Sequence, residues 1–269
     1  MVFGALFSGH SYRLCILHTR LIRQGLQFAL IGLVCCVLGV PQSDAALVNL
    51  GPGSFTPQAT VITFSEVPLG TVNPVYNLST ASLGTVTVSF GGFFIGQAAG
   101  GGFPVTLVDH TPTAGQPPAL DPAAPTTSTV NDGAAGATSP VLSGSPTFNG
   151  PISVLFSVPV AGVGLKGGFF DALHATTIEA YDSNGNVLGS ITNSVTGFEF
   201  YGLADSTGGS VIKGISFFIT GNEPAGFEID NLTFGAATEI VVGVPEASTW
   251  FMLGTGLGGL FGFYRRRRP

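Results

Sequence analysis

Between Ala46 and Tyr264 the chain has no cysteine and no arginine. The three cysteines, Cys15, Cys35 and Cys36, all precede that stretch. A disulfide framework, a cysteine-based zinc site and a cysteine nucleophile are therefore excluded from it. Cations are nearly missing as well. Fourteen acidic residues face two lysines, Lys166 and Lys213, giving a net charge of −12 over residues 46–264. The whole-chain value of −6 hides this, because all seven arginines lie near the two ends. A body this acidic does not hold a phosphate backbone, so no nucleic acid is expected as a partner. A divalent cation or an uncharged polymer is easier to accommodate. Tryptophan occurs once, at Trp250, and histidine in the body twice, at His110 and His174. No long stretch of the body has helical periodicity.

The N-terminal region reads as an export signal. Residues 1–24 carry Arg13, Arg20 and Arg23 and no acid, and residues 25–40 are apolar apart from Gln27. Ser43 and Ala45 satisfy the small-x-small rule, which places signal-peptidase cleavage after Ala45 and the signal peptide at 1–45. The Sec machinery and signal peptidase are the implied partners. A lipoprotein signal on Cys35 is disfavoured, because Val34 stands where a small residue belongs.

The other end has three parts. Val244-Pro245-Glu246 comes first. Then 247–264 runs 18 residues without a charge, and Arg265, Arg266, Arg267 and Arg268 follow. As a helix the span is ~27 Å long, close to a bilayer core of ~30 Å. Gly254, Gly258 and Gly262 share one helix face, a spacing that lets membrane helices approach. Trp250 and Tyr264 stand at the two interfaces, and the arginines stay cytoplasmic by the positive-inside rule. One transmembrane helix at 247–264 is expected, within a tail at 243–269.

This order of signature, apolar helix and terminal arginines resembles the PEP-CTERM protein-sorting tail of Gram-negative bacteria. A related tail is found on some ice-binding proteins. The usual Val-Pro-Glu-Pro departs here, since Ala247 replaces the second proline. The resemblance implies recognition by an exosortase, cleavage near Pro245-Glu246, and transfer of the body from the inner membrane to the cell surface or extracellular matrix. Such proteins often accompany exopolysaccharide and biofilm production.

The body, 46–242, reads as β throughout. Apolar β-branched or alternating runs occur at 60–64, 84–90, 152–158, 176–181, 187–192, 198–201, 211–220 and 227–234, bounded by Gly, Asn and Pro. Asn184-Gly185 between two of them predicts a hairpin with a type I′ turn. Two antiparallel sheets in a sandwich are the natural way to bury so many half-apolar strands. Residues 111–140, built from Pro, Ala, Thr, Gly, Ser and Asp, predict a long mobile loop.

Chemistry-bearing patterns are sparse. Gly162-Val163-Gly164-Leu165-Lys166-Gly167 matches the dinucleotide pattern, but a strand rather than a helix follows soon after, so the glycines are expected where strands bend or pack. Asp182-x-Asn184-x-Asn186 begins like a calcium loop, yet Val187 and Asn193 occupy the Gly and Glu positions, so a turn is expected. Asp109-His110 and Asp171 with His174 lack a nucleophile elbow, and catalysis is not expected. An opening Phe64-x-Glu66-x-Pro68-x-Gly70-Thr71 and a closing Ile229-Asp230-Asn231-Leu232-Thr233-Phe234 resemble jelly-roll modules of exported bacterial proteins, including carbohydrate-binding ones. If first and last strands adjoin, Glu66 and Asp230 could share a structural Ca²⁺. The competing reading makes Glu66 and Glu228 outward strand residues, with Phe227, Ile229 and Asn231 on one face and Glu228 and Asp230 on the other.

The sequence thus predicts an all-β, jelly-roll-like sandwich with a signal peptide and one C-terminal membrane helix. Its expected role is a surface-sorted, non-enzymatic envelope or matrix protein. A carbohydrate-binding module, with or without Ca²⁺, is one alternative, and an exopolysaccharide-acting hydrolase or lyase using paired carboxylates is another. Mass spectrometry of the exported protein is expected to find Ala46 at its start and a new end near Pro245-Glu246. Changing Pro245 and Glu246 to alanine should leave the chain inserted but unprocessed, and surface display of that variant at the parental level would defeat the sorting assignment.

Overall fold

The computed structural model describes residues 47–132 and 140–241. The expected signal peptide, with Ser43 and Ala45, lies outside them, as do Val244-Pro245-Glu246, the expected membrane span and Arg265–Arg268. Among the described residues no helix is long and apolar enough to cross a membrane.

Fifteen strands follow in order: β1 (Leu47–Asn49), β2 (Thr60–Ile62), β3 (Val75–Ser79), β4 (Thr85–Gly91), β5 (Ala98–Ala99), β6 (Leu107–Asp109), β7 (Thr127–Val130), β8 (Val141–Gly144), β9 (Ile152–Val160), β10 (Gly162–Phe170), β11 (Thr176–Tyr181), β12 (Val187–Thr192), β13 (Gly197–Asp205), β14 (Ile212–Ile219) and β15 (Glu228–Gly235). One sheet has the order β1-β13-β10-β15-β8-β7, with β2 also paired to β15. A second has the order β12-β11-β14-β9-β4-β3, and β5-β6 form a small ribbon. Every pairing of named strands is antiparallel. The two large sheets enclose one apolar core drawn from both, including Val88, Phe156, Ile178 and Phe217 from one and Leu165, Tyr201, Ile229 and Phe234 from the other. From β8 to β15 the chain changes sheet at each connection except the β11–β12 hairpin.

That hairpin forms where Asn184-Gly185 predicted it, by a different turn. Gly185 has φ +76°, whereas Asn184 is not in the positive-φ region. The Asp182 carboxylate accepts the backbone N–H groups of Asn184 and Asn186 at 2.7 and 2.9 Å, and the register slips by one residue between Ala180 and Tyr181. This is a three-residue loop with a bulge, selected by an aspartate that satisfies the turn's own donors.

The predicted loop at 111–140 is corrected over part of its length. Thr127–Val130 is a strand on β8, and Thr127 and Thr129 are fully buried. Thr129 Oγ1 donates to Pro68 O at 2.8 Å, and Thr127 N–H donates to Asn73 Oδ1 at 2.8 Å. A strand of threonines can be buried once its hydroxyls have partners, and hydrophobic patterning cannot register it.

Like the short β1, β3, β5, β6 and β8, β10 is hidden from the pattern. Its glycines lie where aromatic rings press against the backbone. A Cβ on Gly164 would lie 2.5 Å from the Phe200 ring, and one on Gly167 3.0 Å from the rings of Phe170 and Phe217. The glycines pack, as expected, within one continuous strand.

In β15 the alternation changes phase. The register step from Lys166 to Gly164 advances two positions on β10 and three on β15, from Asp230 to Thr233, and Asn231 sits at φ +51°. This bulge puts Phe227 and Ile229, then Leu232 and Phe234, into the core. Asn231 therefore does not join the core face of Phe227 and Ile229. Glu228 and Asp230 do fall on the other face, yet they are 3% and 1% exposed rather than solvated.

The loop between β14 and β15 meets the loop between β8 and β9 at Gly226. Its φ is +79°, and a Cβ there would lie 1.9 Å from Phe148 O. Gly226→Ala is expected to destabilise the fold by at least ~1–3 kcal/mol, read as a lower urea midpoint at unchanged slope. An unchanged midpoint would show that this crossing is not rigid.

Candidate functional site

Residues 93–125 lie over the outer face of the second sheet. That face presents Thr177, Glu179 and Tyr181 of β11 beside Ser216 and Phe218 of β14, because Ile178, Ala180, Ile215 and Phe217 point into the core. Phe94 packs edge-on against Tyr181, with ring centroids 5.6 Å apart. Gln97 is buried beside it. Its Nε2 donates to His110 O at 2.7 Å and lies 2.9 Å from Tyr181 Oη, while its Oε1 accepts the Phe94 N–H. Tyr181 O–H donates to His110 O at 2.8 Å, and Ser216 and Ser153 share a hydrogen bond of 2.7 Å. A satisfied polar layer therefore fastens this segment to the sheet. Burial and the neighbouring Glu179 carboxylate both push the Tyr181 phenol upward, so it stays a neutral donor.

The segment stops short of the sheet edge, leaving a groove of about 360 Å³. Its walls are Thr106, Leu107 and His110 on one side, with Thr177, Glu179, Ser190, Phe218, Ile219 and Thr220 on the sheet. His110 Nδ1 lies 2.8 Å from Glu179 Oε1. The imidazole stacks on the Phe218 ring at 5.6 Å and 23°. With Nδ1 engaged and the side chain 47% exposed, the opposite edge of the ring faces the groove. Ser190 stands directly across from Glu179 on β12. Thr177 and Thr220 join their hydroxyls at 3.0 Å. His174 reaches the same face, with Nδ1 3.1 Å from Thr192 Oγ1, and Thr192 is the cross-strand partner of Thr177. The arrangement offers a flat ring, one carboxylate and a row of hydroxyl donors and acceptors.

A smaller hollow of about 210 Å³ opens at the loop end, walled by Phe148, Phe169, Phe227 and Glu228 with Gly168 and Gly226. Phe169 packs edge-on against Phe198, and Lys166 Nζ lies 4.9 Å from the centre of the Phe198 ring.

The residues named from sequence have the following partners. Glu66 is exposed, and its Oε1 accepts the N–H and O–H of Thr63 at 3.0 and 2.9 Å. Asp230 is buried in β15, accepting from Asn231 N–H and Nδ2 at 2.7 and 2.6 Å. β2 does adjoin β15, as Leu232 opposite Ile62 shows. Among the described residues no group of three or more His, Cys, Asp or Glu side chains could hold a metal ion. Asp109 turns to the Thr111 N–H, and Asp171 to the Ala225 N–H, so neither serves its nearby histidine. The partner of His110 is Glu179, 69 residues away. No local signal marks that pair.

No family model matches the chain, and no curated protein does. Among solved structures it is similar to the enzymatically active domain of bacteriophage CBA120 tailspike protein 4, at 22% identity over 40% of this chain and 17% of that one, with a TM-score of 0.25. It is also similar to a mutant of a family 29 carbohydrate-binding module, at 13% identity over 64% of this chain and 98% of that one, again with a TM-score of 0.25. Likeness of that degree assigns neither fold nor ligand.

Carboxylates also tie the loop end together. Glu223, fully buried, accepts the N–H groups of Asp171 and Ala172 at 2.7 and 3.4 Å. Burial raises its carboxyl above the ordinary 4.5, the nearby Asp171 charge adds to that, and the two backbone hydrogen bonds oppose it. The folded chain then holds this proton more tightly than the unfolded one. The linked stability is fully present below the ordinary value and is lost as pH rises through the raised one. Glu223→Gln should flatten the stability-against-pH curve from about pH 4.5 upward, measured by urea unfolding at a series of pH values. A parent–variant difference constant across that range would contradict the assignment.

Proposed function

We propose that this chain is an exported, surface-sorted β-sandwich protein of the cell envelope or biofilm matrix, and that it binds saccharide in the His110–Glu179 groove. The observation that carries the binding role is the groove wall. Four hydroxyl side chains, a hydrogen-bonded carboxylate and a stacked imidazole–phenyl pair converge on about 360 Å³ of open space. Sugar rings present apolar faces for a flat ring and hydroxyls for paired donors and acceptors, and this wall supplies both. Hydrolysis of a glycosidic bond by the common route needs two flanking carboxylates. The groove's lining holds one, Glu179, which supports a binding role over a hydrolytic one. The sorting role rests on Val244-Pro245-Glu246, the apolar span and the terminal arginines, with an exosortase as processing partner.

The exported protein should bind oligosaccharides on a glycan array and retain the host's own exopolysaccharide without shortening it. His110→Ala, which removes the exposed ring, should weaken binding roughly tenfold, about 1.4 kcal/mol. Ser190→Trp, which fills the groove from an exposed strand position, should do the same with the melting temperature preserved. Unaltered affinity in both variants would place binding elsewhere, and release of shorter chains would make the protein an enzyme.

A further inference from the structure

Resting on that reading of the groove, we propose that it selects saccharides carrying free primary amines and rejects those carrying carboxylates or sulfates. Glu179 is the one carboxylate in the lining, its side chain 6% exposed at the base of the wall. Its partner His110 holds Nδ1 2.8 Å from Oε1 and leaves the second carboxylate oxygen, Oε2, outside that contact. The remaining lining residues are hydroxyl-bearing or apolar. Neither body lysine is there. Lys213 donates to Ser157 O at 2.6 Å, and Lys166 lies over Phe198, in the other sheet. Arginine is absent from 46–264.

An ammonium group entering this groove meets a charge-assisted acceptor, whereas a sugar hydroxyl in the same place gains a neutral hydrogen bond. A carboxylate or sulfate must shed water beside Glu179 with no lysine or arginine to meet it, and the one imidazole there, His110, is already turned to Glu179. The long-range field acts in the same direction. The net −12 over residues 46–264 draws a cationic polymer in and repels an anionic one, and added salt reduces both effects.

The test uses three series on the exported protein by calorimetry: glucosamine oligomers, their N-acetylated counterparts, and oligogalacturonates of equal length. The amine series is expected to bind roughly two- to fivefold more tightly than the acetylated one at 0.15 M salt, the range of a single partly exposed ion pair, with the uronates weakest. In Glu179→Gln the ratio of amine to acetylated affinity should fall to about one. In Ser190→Lys, which sets a cation across from Glu179, that ratio should also collapse and the uronates should gain. The proposal fails if the uronates match the amine series in the parent, or if the amine preference survives both substitutions and disappears only with salt, since attraction would then be non-specific. Equal binding of amine and acetylated oligomers also overturns it, while leaving saccharide binding intact. Failure of all three series to bind would end the saccharide reading itself.

Discussion

Phe217 is where the two sheets meet. It projects from β14 of one sheet against Tyr201 of β13, Phe170 of β10 and Phe227 just before β15, with ring centroids 5.1, 6.2 and 4.3 Å away. The backbone of Gly167 lies so close that any Cβ there would press on this ring. With no cysteine in the body, nothing covalent holds the layers together, and burial of such rings, each contributing ~1.5–3 kcal/mol, must do so. The glycines of β10 and the bulge of β15 follow from that constraint. Glycine makes room for the aromatic layer, and the bulge lets one strand deliver Phe227 and Ile229, then Leu232 and Phe234, to the same core.

The second sheet is unusual in being buried on both faces over part of its width. All six residues of β11 are buried, because the inner face meets the core and the outer face meets residues 93–125. The outer contact is polar. Gln97, Tyr181, Ser216 and Ser153 exchange hydrogen bonds there, so the cover is held by directional bonds as well as by Phe94 and Leu107. Directional bonding fixes where the cover ends, and the groove begins at that edge. His110 belongs to the cover and Glu179 to the sheet, so their pairing joins the two halves of the groove wall.

The proposed ligands, uncharged or amine-bearing polymers, follow from a groove with one carboxylate and four hydroxyl side chains on a strongly acidic body. In the proposed reading the tail motif addresses location and the groove addresses contact. Their combination is what the proposed matrix role draws on, and each has its own experiment.

Much of the fold is legible in the residues. The runs at 152–158, 176–181, 187–192 and 227–234 coincide with β9, β11, β12 and β15 within two residues at each end, because half-buried strands require alternation and β-branched side chains. The expected export and sorting signals are linear motifs that need no fold to be read, and their residues lie outside those described. Burial by other means is not legible. β7 is buried through threonine hydroxyls, β10 through glycines beneath aromatic rings, and Asp230 beside a bulge that reverses the expected alternation. The site was the least accessible of all. His110 and Glu179 are 69 residues apart and neither carries a local motif. Sequence by itself settled composition, charge and strand periodicity, which are sums over neighbours along the chain. The groove depends on which strands lie side by side and where a covering segment ends, and only tertiary packing decides that.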